Sequence, residues 1–429
     1  MTQTTVLIVG AGPTGLSAAI SLVHHGCKDI VIVDAAERSI FTSRAMTIHA
    51  ATLEALDSVG CSGQLIALGI KGEDAQIGGR SSVFLTLDLA ASIKAWTKYP
   101  YVLLLPQHLT ERALEDHLTH MGIRVLRPLR VVGMKASGSH AMTDVIFESG
   151  EVISARYVVG ADGARSALAG VSFGDPDGEP LDQASQIVLA DVTFDTRELL
   201  TPPNKIRAVP SSGQFFFIAP LPNVYGDVEG PVYRLGFSVD TTHGPPPSNP
   251  SASYIQEHVD NQGPINISSD QSVNSSPVKI NKVIWSTRFR THAAIASKFL
   301  IQLQAEQHKG GYVFLVGDAA HIHSPAGGLG MNLGIRDAIG LGPAIIKDMQ
   351  QQPEQLDRSA RPTSLEDYAT LRHQRALTTI RLTKRILAFV KLLGSSYLFN
   401  AQIWLVYLLG KVPLIRRQIA WQVSGLGNP

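Results

Sequence analysis

Val6-Leu7-Ile8-Val9-Gly10-Ala11-Gly12-Pro13-Thr14-Gly15 sets the architecture of the chain. Four aliphatic residues in a row read as a buried strand, and the glycines after them form a G-x-G-x-x-G turn that opens a helix. The helix is expected over 13–25, with Leu16, Ala19, Ile20 and Val23 on one apolar face and Gly26 at its stop. A second buried strand, Ile30–Val33, runs into Asp34. Each position has a physical reason. Gly10 permits the tight turn, Gly12 lets a pyrophosphate approach the backbone, and Gly15 allows close helix–strand packing. Pro13 and Thr14 open the helix, whose oriented N–H groups and positive dipole end favour an anion. An acid closing the second strand is placed to bond a ribose hydroxyl. A lone glycine loop would say little, but strand, loop, helix, strand and acid in this order predict dinucleotide binding.

Two further constellations fall at strand ends. The buried run Tyr312–Val316 leads into Gly317-Asp318-Ala319-Ala320-His321-Ile322-His323-Ser324-Pro325-Ala326-Gly327-Gly328-Leu329-Gly330-Met331-Asn332. Sharp bends alone explain neither the acid at the strand end nor the three glycines just before a helix. Tyr157-Val158-Val159 likewise runs into Gly160-Ala161-Asp162-Gly163-Ala164-Arg165-Ser166. By itself an Asp-Gly pair is a common turn.

Residues 175–290 have a different texture. Strand-like runs Ile187–Val192, Gln214–Ile218 and Val232–Val239 alternate with Pro-rich and Ser-rich loops at 244–250 and 268–277. Helices are expected near 52–59 and 109–120, and again from Gly334 onward. The fold class that follows is α/β: a Rossmann-type dinucleotide-binding domain with an inserted β-rich substrate domain and a C-terminal helical region. The division places 1–174 with 291–350, then 175–290, then 351–429.

Composition narrows the function. The chain has 429 residues, 44% apolar and 17% charged, which supports packed cores and two or three domains. Lys plus Arg number 37 against 36 Asp plus Glu, so no overall charge points to nucleic acid. Cys27 and Cys61 stand in no metal or disulfide pattern, which favours a reducing, cytoplasmic compartment. No leader is expected, because the first strand begins almost at once. The C-terminus is less neutral: from Tyr368 to Pro429 there is no Asp or Glu but nine Lys or Arg. Within it, 392–410 is uncharged and holds Tyr397, Phe399, Trp404 and Tyr407. Ser395, Ser396, Asn400 and Gln402 dilute it as a membrane span. Packed helices or a membrane-surface contact are the readings left open.

Taken together, the three motifs resemble the FAD-dependent aromatic hydroxylases, the single-component flavoprotein monooxygenases typified by para-hydroxybenzoate hydroxylase and phenol hydroxylase. The resemblance extends to about residue 350. It includes Ser43-Arg44-Ala45, Thr52-Leu53-Glu54, Leu105-Pro106-Gln107 and Trp285-Ser286-Thr287-Arg288-Phe289-Arg290. It implies FAD as cofactor, NADH or NADPH as reductant, and an aromatic small molecule and O2 as substrates. Oxygen transfer would proceed through a flavin hydroperoxide.

The resemblance also implies roles. Gly10, Gly12 and Gly15, with Pro13 and Thr14, would cradle the FAD pyrophosphate, and Asp34 would hold the adenosine ribose. Arg44 and Gln107 match contacts to the phosphates and ribityl region, Val131 a backbone contact to adenine, and Asp318 a ribityl contact. Gly328, Leu329, Gly330, Met331 and Asn332 would set backbone N–H groups beside the flavin pyrimidine edge. Asp162 would border both FAD and the nicotinamide route. Two departures bear on the nicotinamide contacts. Ala169 stands where the family usually has an arginine, and Ala51 stands where another often precedes Thr52. The thioredoxin-like domain of phenol-hydroxylase-type members is not expected here.

On the substrate side, His49 falls where the family approaches the flavin ring, and the backbone of Pro325 lines the reaction site. Phe217 belongs to a Phe215-Phe216-Phe217 run whose alternate residues face opposite ways, so it lines either a pocket or the sheet core. Tyr233 and Arg234 lie on a neighbouring strand, where an arginine binds a carboxylate, steers the flavin or faces solvent. His321 and His323 read as loop-packing residues, and no metal is expected. No residue stands out as the base that deprotonates substrate. Two alternatives stay open: a same-fold reductase or halogenase, and a carrier that keeps the dinucleotide fold without catalysis. The tryptophans are isolated, so the Trp-x-Trp-x-Ile pattern of tryptophan halogenases is absent.

Overall fold

Thr2–Val9 lies between two parallel neighbours, Val152–Gly160 on one side and Ile30–Val33 on the other. Where it is hydrogen-bonded along both edges and covered on both faces the strand must be apolar, and there Val6, Leu7, Ile8 and Val9 are all buried. The computed structural model describes residues 2–37, 44–138, 141–164, 166, 173–174, 186–211, 214–225, 228–240, 244–290, 293–304, 309–351, 364–393, 407–408 and 411–428. Arg165, Ala169 and most of the uncharged run at 392–410 lie outside them.

The first sheet runs in the order Leu300–Gln304, Lys309–Leu315, Val152–Gly160, Thr2–Val9, Ile30–Val33, Val125–Leu126, with an antiparallel arm of Thr143–Phe147 and Val131–Ala136. Among the described residues the helices are α1 (Pro13–His24), α2 (Ala50–Ser58), α3 (Ser62–Leu68), α4 (Leu89–Ile93), α5 (Gln107–His120), α6 (Ala252–Gln262), α7 (Gly330–Gln350), α8 (Ser364–Leu393) and α9 (Pro413–Val423). Helices α1 and α7 touch through small residues. A Cβ at Gly342 would lie 2.3 Å from Ser21 Oγ, and that hydroxyl donates to the Ile339 carbonyl at 2.7 Å.

The second sheet has seven strands, in the order Ile280–Arg290, Gln186–Phe194, Val232–Val239, Gln214–Leu221, Lys205–Ser211, Asp74–Gly78, Val83–Asp88. Its last two strands come from outside 175–290, so the boundary drawn from texture alone misses them. They join through the parallel pairing of Lys205–Ala208 with Asp74–Ile77. One face of this sheet packs Val188, Ala190, Phe216, Ile218, Leu235 and Phe237 against Ile255 and Val259 of α6. The opposite face carries Leu189, Asp191, Phe217, Arg234 and Gly236, by the alternation of side chains along a strand.

The C-terminal region is stitched onto the first domain. The Tyr368 hydroxyl of α8 donates to the Asp337 carbonyl at 2.8 Å. Beyond α9 the chain returns to the start of α2, where Ala51 N–H donates to the Ser424 carbonyl at 3.1 Å. The buried Arg336 guanidinium donates to the Gly425 carbonyl at 3.2 Å and to the Asn428 carbonyl. Among the described residues no helix is long and apolar enough to cross a membrane.

Candidate active site

Strand register brings the three motifs together. Val9 pairs with Gly160 and Gly160 with Leu315, so the glycine loop, the Asp162 turn and the Gly317 loop leave adjacent strand ends side by side. Gly10 has φ 105°, and a Cβ there would lie 2.3 Å from the Ala161 carbonyl oxygen. At Gly15 a Cβ would lie 1.8 Å from the Gly10 carbonyl oxygen. Gly12 differs: a Cβ there meets nothing within 4 Å, which leaves the mouth of α1 open. Thr14 links the first motif to the last, because Cβ atoms at Gly317 and Gly334 would come within 2.6 and 2.5 Å of its hydroxyl.

Asp34 braces the loop: its carboxylate accepts from Ala11 N–H at 2.7 Å and Ala36 N–H at 2.8 Å. Leu129 N–H donates to the Asp34 carbonyl at 2.7 Å, which sets the buried Val131 near the same strand end. Neither α1 nor α7 has a side-chain cap or an acid in its first turn. Both helix ends therefore keep N–H groups and a positive dipole for an anion or a developing negative charge. A pyrophosphate-containing cofactor fits this cradle, since of the three loop glycines Gly12 alone has open space above it, at the mouth of α1.

The loop before α7 is held from behind. Asn332 is buried, and its side-chain oxygen accepts from His49 N–H at 2.8 Å. Its amide donates to the Thr47 carbonyl at 2.9 Å and the Gly328 carbonyl at 2.7 Å. The side chain is thus a clasp between the start of α2 and the loop, and Gly327 and Gly328 take positive φ of 81° and 65° to pass over it. His49 is buried, with Nε2 at 2.8 Å from the Gly327 carbonyl. A carbonyl only accepts, so Nε2 carries the proton and Nδ1 is the acceptor. His323 bonds the Ser324 carbonyl through Nδ1 at 2.9 Å. His321 bonds Asp337 at 2.6 Å. Among the described residues no group of His, Cys, Asp and Glu is arranged to hold a metal ion.

Burial pushes both His49 and His323 down to about 4. Each is neutral in the folded protein where the unfolded chain, at about 6.5, is already charging. The unfolded state then binds more protons between those values, so stability falls as pH drops from about 6.5 to 4, by roughly 3 kcal/mol per histidine. Thermal unfolding followed from pH 7.5 to 4.5 is expected to show this loss. The decline should be shallower in His49→Gln, and identical slopes would remove His49 from the account.

The opposite wall joins the two sheets. Asp191 and Arg234 are directly opposed in register and both fully buried. Arg234 donates to both carboxylate oxygens, through Nε and through Nη2 at 2.8 Å. Its Nη1 donates to the Arg44 carbonyl at 3.3 Å, and its guanidinium lies 5.1 Å from the Trp285 ring centroid. Gln107 holds the same segment from the other side, accepting from Ala45 N–H at 3.2 Å. The exposed Arg44 side chain projects from this braced turn, 6.0 Å from the Phe289 ring centroid.

Two substrate candidates need correction. Tyr233 is a core residue: its ring packs with Phe194 and its hydroxyl accepts from Leu200 N–H at 2.9 Å. Arg234 is neither a solvated strand residue nor open to a substrate carboxylate, because Asp191 already occupies its fork. Phe217 is half-buried on the face opposite the α6 core, its ring lying over Gly236, where a Cβ would come within 2.0 Å. Pro325 is half-buried at the head of the Ala326–Gly328 turn, and Asp318 is exposed in the Gly317–Ala319 turn. Met331 and Asp162 are also half-buried, and Leu329 is buried. Sequence reasoning missed Asp191, Thr47 and Arg336. Asp191 sat within an expected strand, but only the register reveals its partner.

Comparison with known proteins agrees with this geometry. A family model described as FAD binding domain matches residues 3–383. Rifampicin monooxygenase of Streptomyces venezuelae is 32% identical over 340 residues, covering 79% of this chain and 63% of that protein. An uncharacterised aromatic compound monooxygenase of Bacillus subtilis is 28% identical over 429 residues, covering 98% of this chain and 75% of that protein. The chain thus spans less than two thirds of the first relative's length. The crystal structure of p-nitrophenol 4-monooxygenase from Pseudomonas putida superposes with a TM-score of 0.76 at 20% identity, covering 100% of this chain and 99% of that one.

Proposed function

This chain belongs to the FAD binding domain family, and from that membership we propose that it is an FAD-dependent monooxygenase acting on a phenolic or other electron-rich aromatic small molecule, with NADH or NADPH as reductant and O2 as co-substrate. The observation that carries the reading is the meeting of three motifs at adjacent strand ends, between two uncapped helix N-termini. FAD, when bound, supplies the redox chemistry of hydride acceptance and O2 activation.

The chain's own residues supply the rest. Gly10, Gly12 and Gly15 would hold the pyrophosphate against the mouth of α1, with Asp34 at the ribose and Arg44 and Gln107 at the phosphates and ribityl chain. Asp318 would bond the ribityl hydroxyls. Backbone N–H groups from Gly328 to Asn332, and the positive end of α7, would stabilise negative charge on the reduced ring. The sheet face bearing Leu189, Phe217 and Gly236 would form an apolar wall for an aromatic ring and exclude water.

An anaerobic absorbance scan tests this. Adding NADH or NADPH is expected to bleach bands at roughly 375 and 450 nm, and air to restore them with O2 uptake. Phenols that fit should accelerate bleaching and yield hydroxylated product. Bleaching and return without any hydroxylated product would favour a reductase. A protein that takes up no FAD would leave the carrier reading.

A further inference from the structure

Six of the thirteen exposed large apolar residues among those described gather at one edge of the molecule: Val83, Trp96, Leu408, Val412, Leu414 and Ile419. Leu414 is 73% and Leu408 58% exposed, far more than a helix packed for stability alone needs. Cations are interleaved with them. Lys411 and Arg416 line a cavity of about 250 Å³ together with the edge strand residues Val83, Phe84, Leu85 and Thr86. Arg417 lies 3.9 Å from the centroid of the Trp96 ring, and Trp96 stacks edge-on against Trp421 at 5.3 Å. Lys411 lies 4.9 Å from the Tyr407 ring centroid. No acid occurs anywhere from Tyr368 to Pro429 to neutralise them.

We propose that this edge docks on an anionic lipid surface, with Lys411 and Arg416 receiving a phosphate headgroup and Leu414, Ile419 and Trp96 entering the interface around it. Exposed aliphatic residues, arginines and an amphipathic indole on one short helix and its neighbours match the depth profile of a membrane interface. The acid-free, positive charge of the 368–429 segment complements an anionic leaflet. The edge strand adds backbone N–H groups that no neighbouring strand takes up among the described residues.

Co-sedimentation of the FAD-loaded protein with vesicles tests it, using phosphatidylcholine alone and phosphatidylcholine mixed with phosphatidylglycerol. Binding is expected to the mixed vesicles only, weakening as salt is raised. Each surface cation removed lowers partitioning roughly five-fold, so Lys411→Gln with Arg416→Gln together should weaken binding on the order of twenty-fold. Leu414→Ser should weaken it independently, at unchanged flavin content. Binding to neither vesicle, equal binding to both, or wild-type binding by the double variant would overturn the proposal. So would self-association that L414S abolishes without any change in vesicle binding.

Discussion

Gly15→Ala is expected to give a chain that retains almost no FAD and unfolds far below the parent. The added methyl would lie 1.8 Å from the Gly10 carbonyl oxygen, a backbone atom that cannot swing aside. Gly10 is itself fixed: its N–H donates to the Val33 carbonyl at 2.8 Å, and beside it Ala161 N–H donates to the Val9 carbonyl at 2.8 Å. Relief therefore requires the start of α1 to lift off the strand. That movement would break the Ala11–Asp34 bond and pull Thr14 from between Gly317 and Gly334. The cost is on the order of 3 kcal/mol or more. Gly12→Ala is the informative contrast. Gly12 has φ −74°, and a Cβ there meets nothing of the protein. Its fold should survive with an unchanged melting temperature, while flavin content falls because the methyl stands where a pyrophosphate approaches. Unchanged flavin content in Gly12→Ala would show that the open space at Gly12 is not a ligand's.

The same contrast marks how far the sequence could be read. The glycine loop, its strands and Asp34 were legible because every constraint among them is local or repeats with a known period. The alternation of side chains was legible too, along the run Phe215-Phe216-Phe217. What it could not say is which side was core, since that depends on where α6 lands. Strands Asp74–Gly78 and Val83–Asp88 were misassigned for a related reason. The first pairs with Lys205–Ala208, more than a hundred positions away, and carries the second with it as a local antiparallel partner, and nothing in their own composition names that distant strand. Asn332 lay within the flavin motif, but its side chain proved to be a clasp on Thr47, His49 and Gly328, contacts that only the closed fold creates.

Asp191→Ala is the second variant with a large expected effect, and it separates charge from shape at the domain junction. In the folded chain Arg234 is 1% exposed and donates to both oxygens of Asp191. Removing the carboxylate leaves a guanidinium in a site closed to water, and breaking one half of a buried pair costs about 3–5 kcal/mol. Replacing both partners with apolar residues of similar volume avoids that penalty, so Asp191→Leu combined with Arg234→Met should recover most of the lost stability in urea unfolding. Function is expected to divide differently. The Arg234 Nη1 bond to the Arg44 carbonyl is lost in the double variant, and with it one of the braces on the turn that carries Arg44. FAD affinity should therefore stay below the parent's even where stability has returned. Recovery of both together would mean that the bonds from Leu105 and Gln107 suffice to fix the Arg44 turn. Recovery of neither would mean that the pair matters for its shape against Trp285 rather than for its charge.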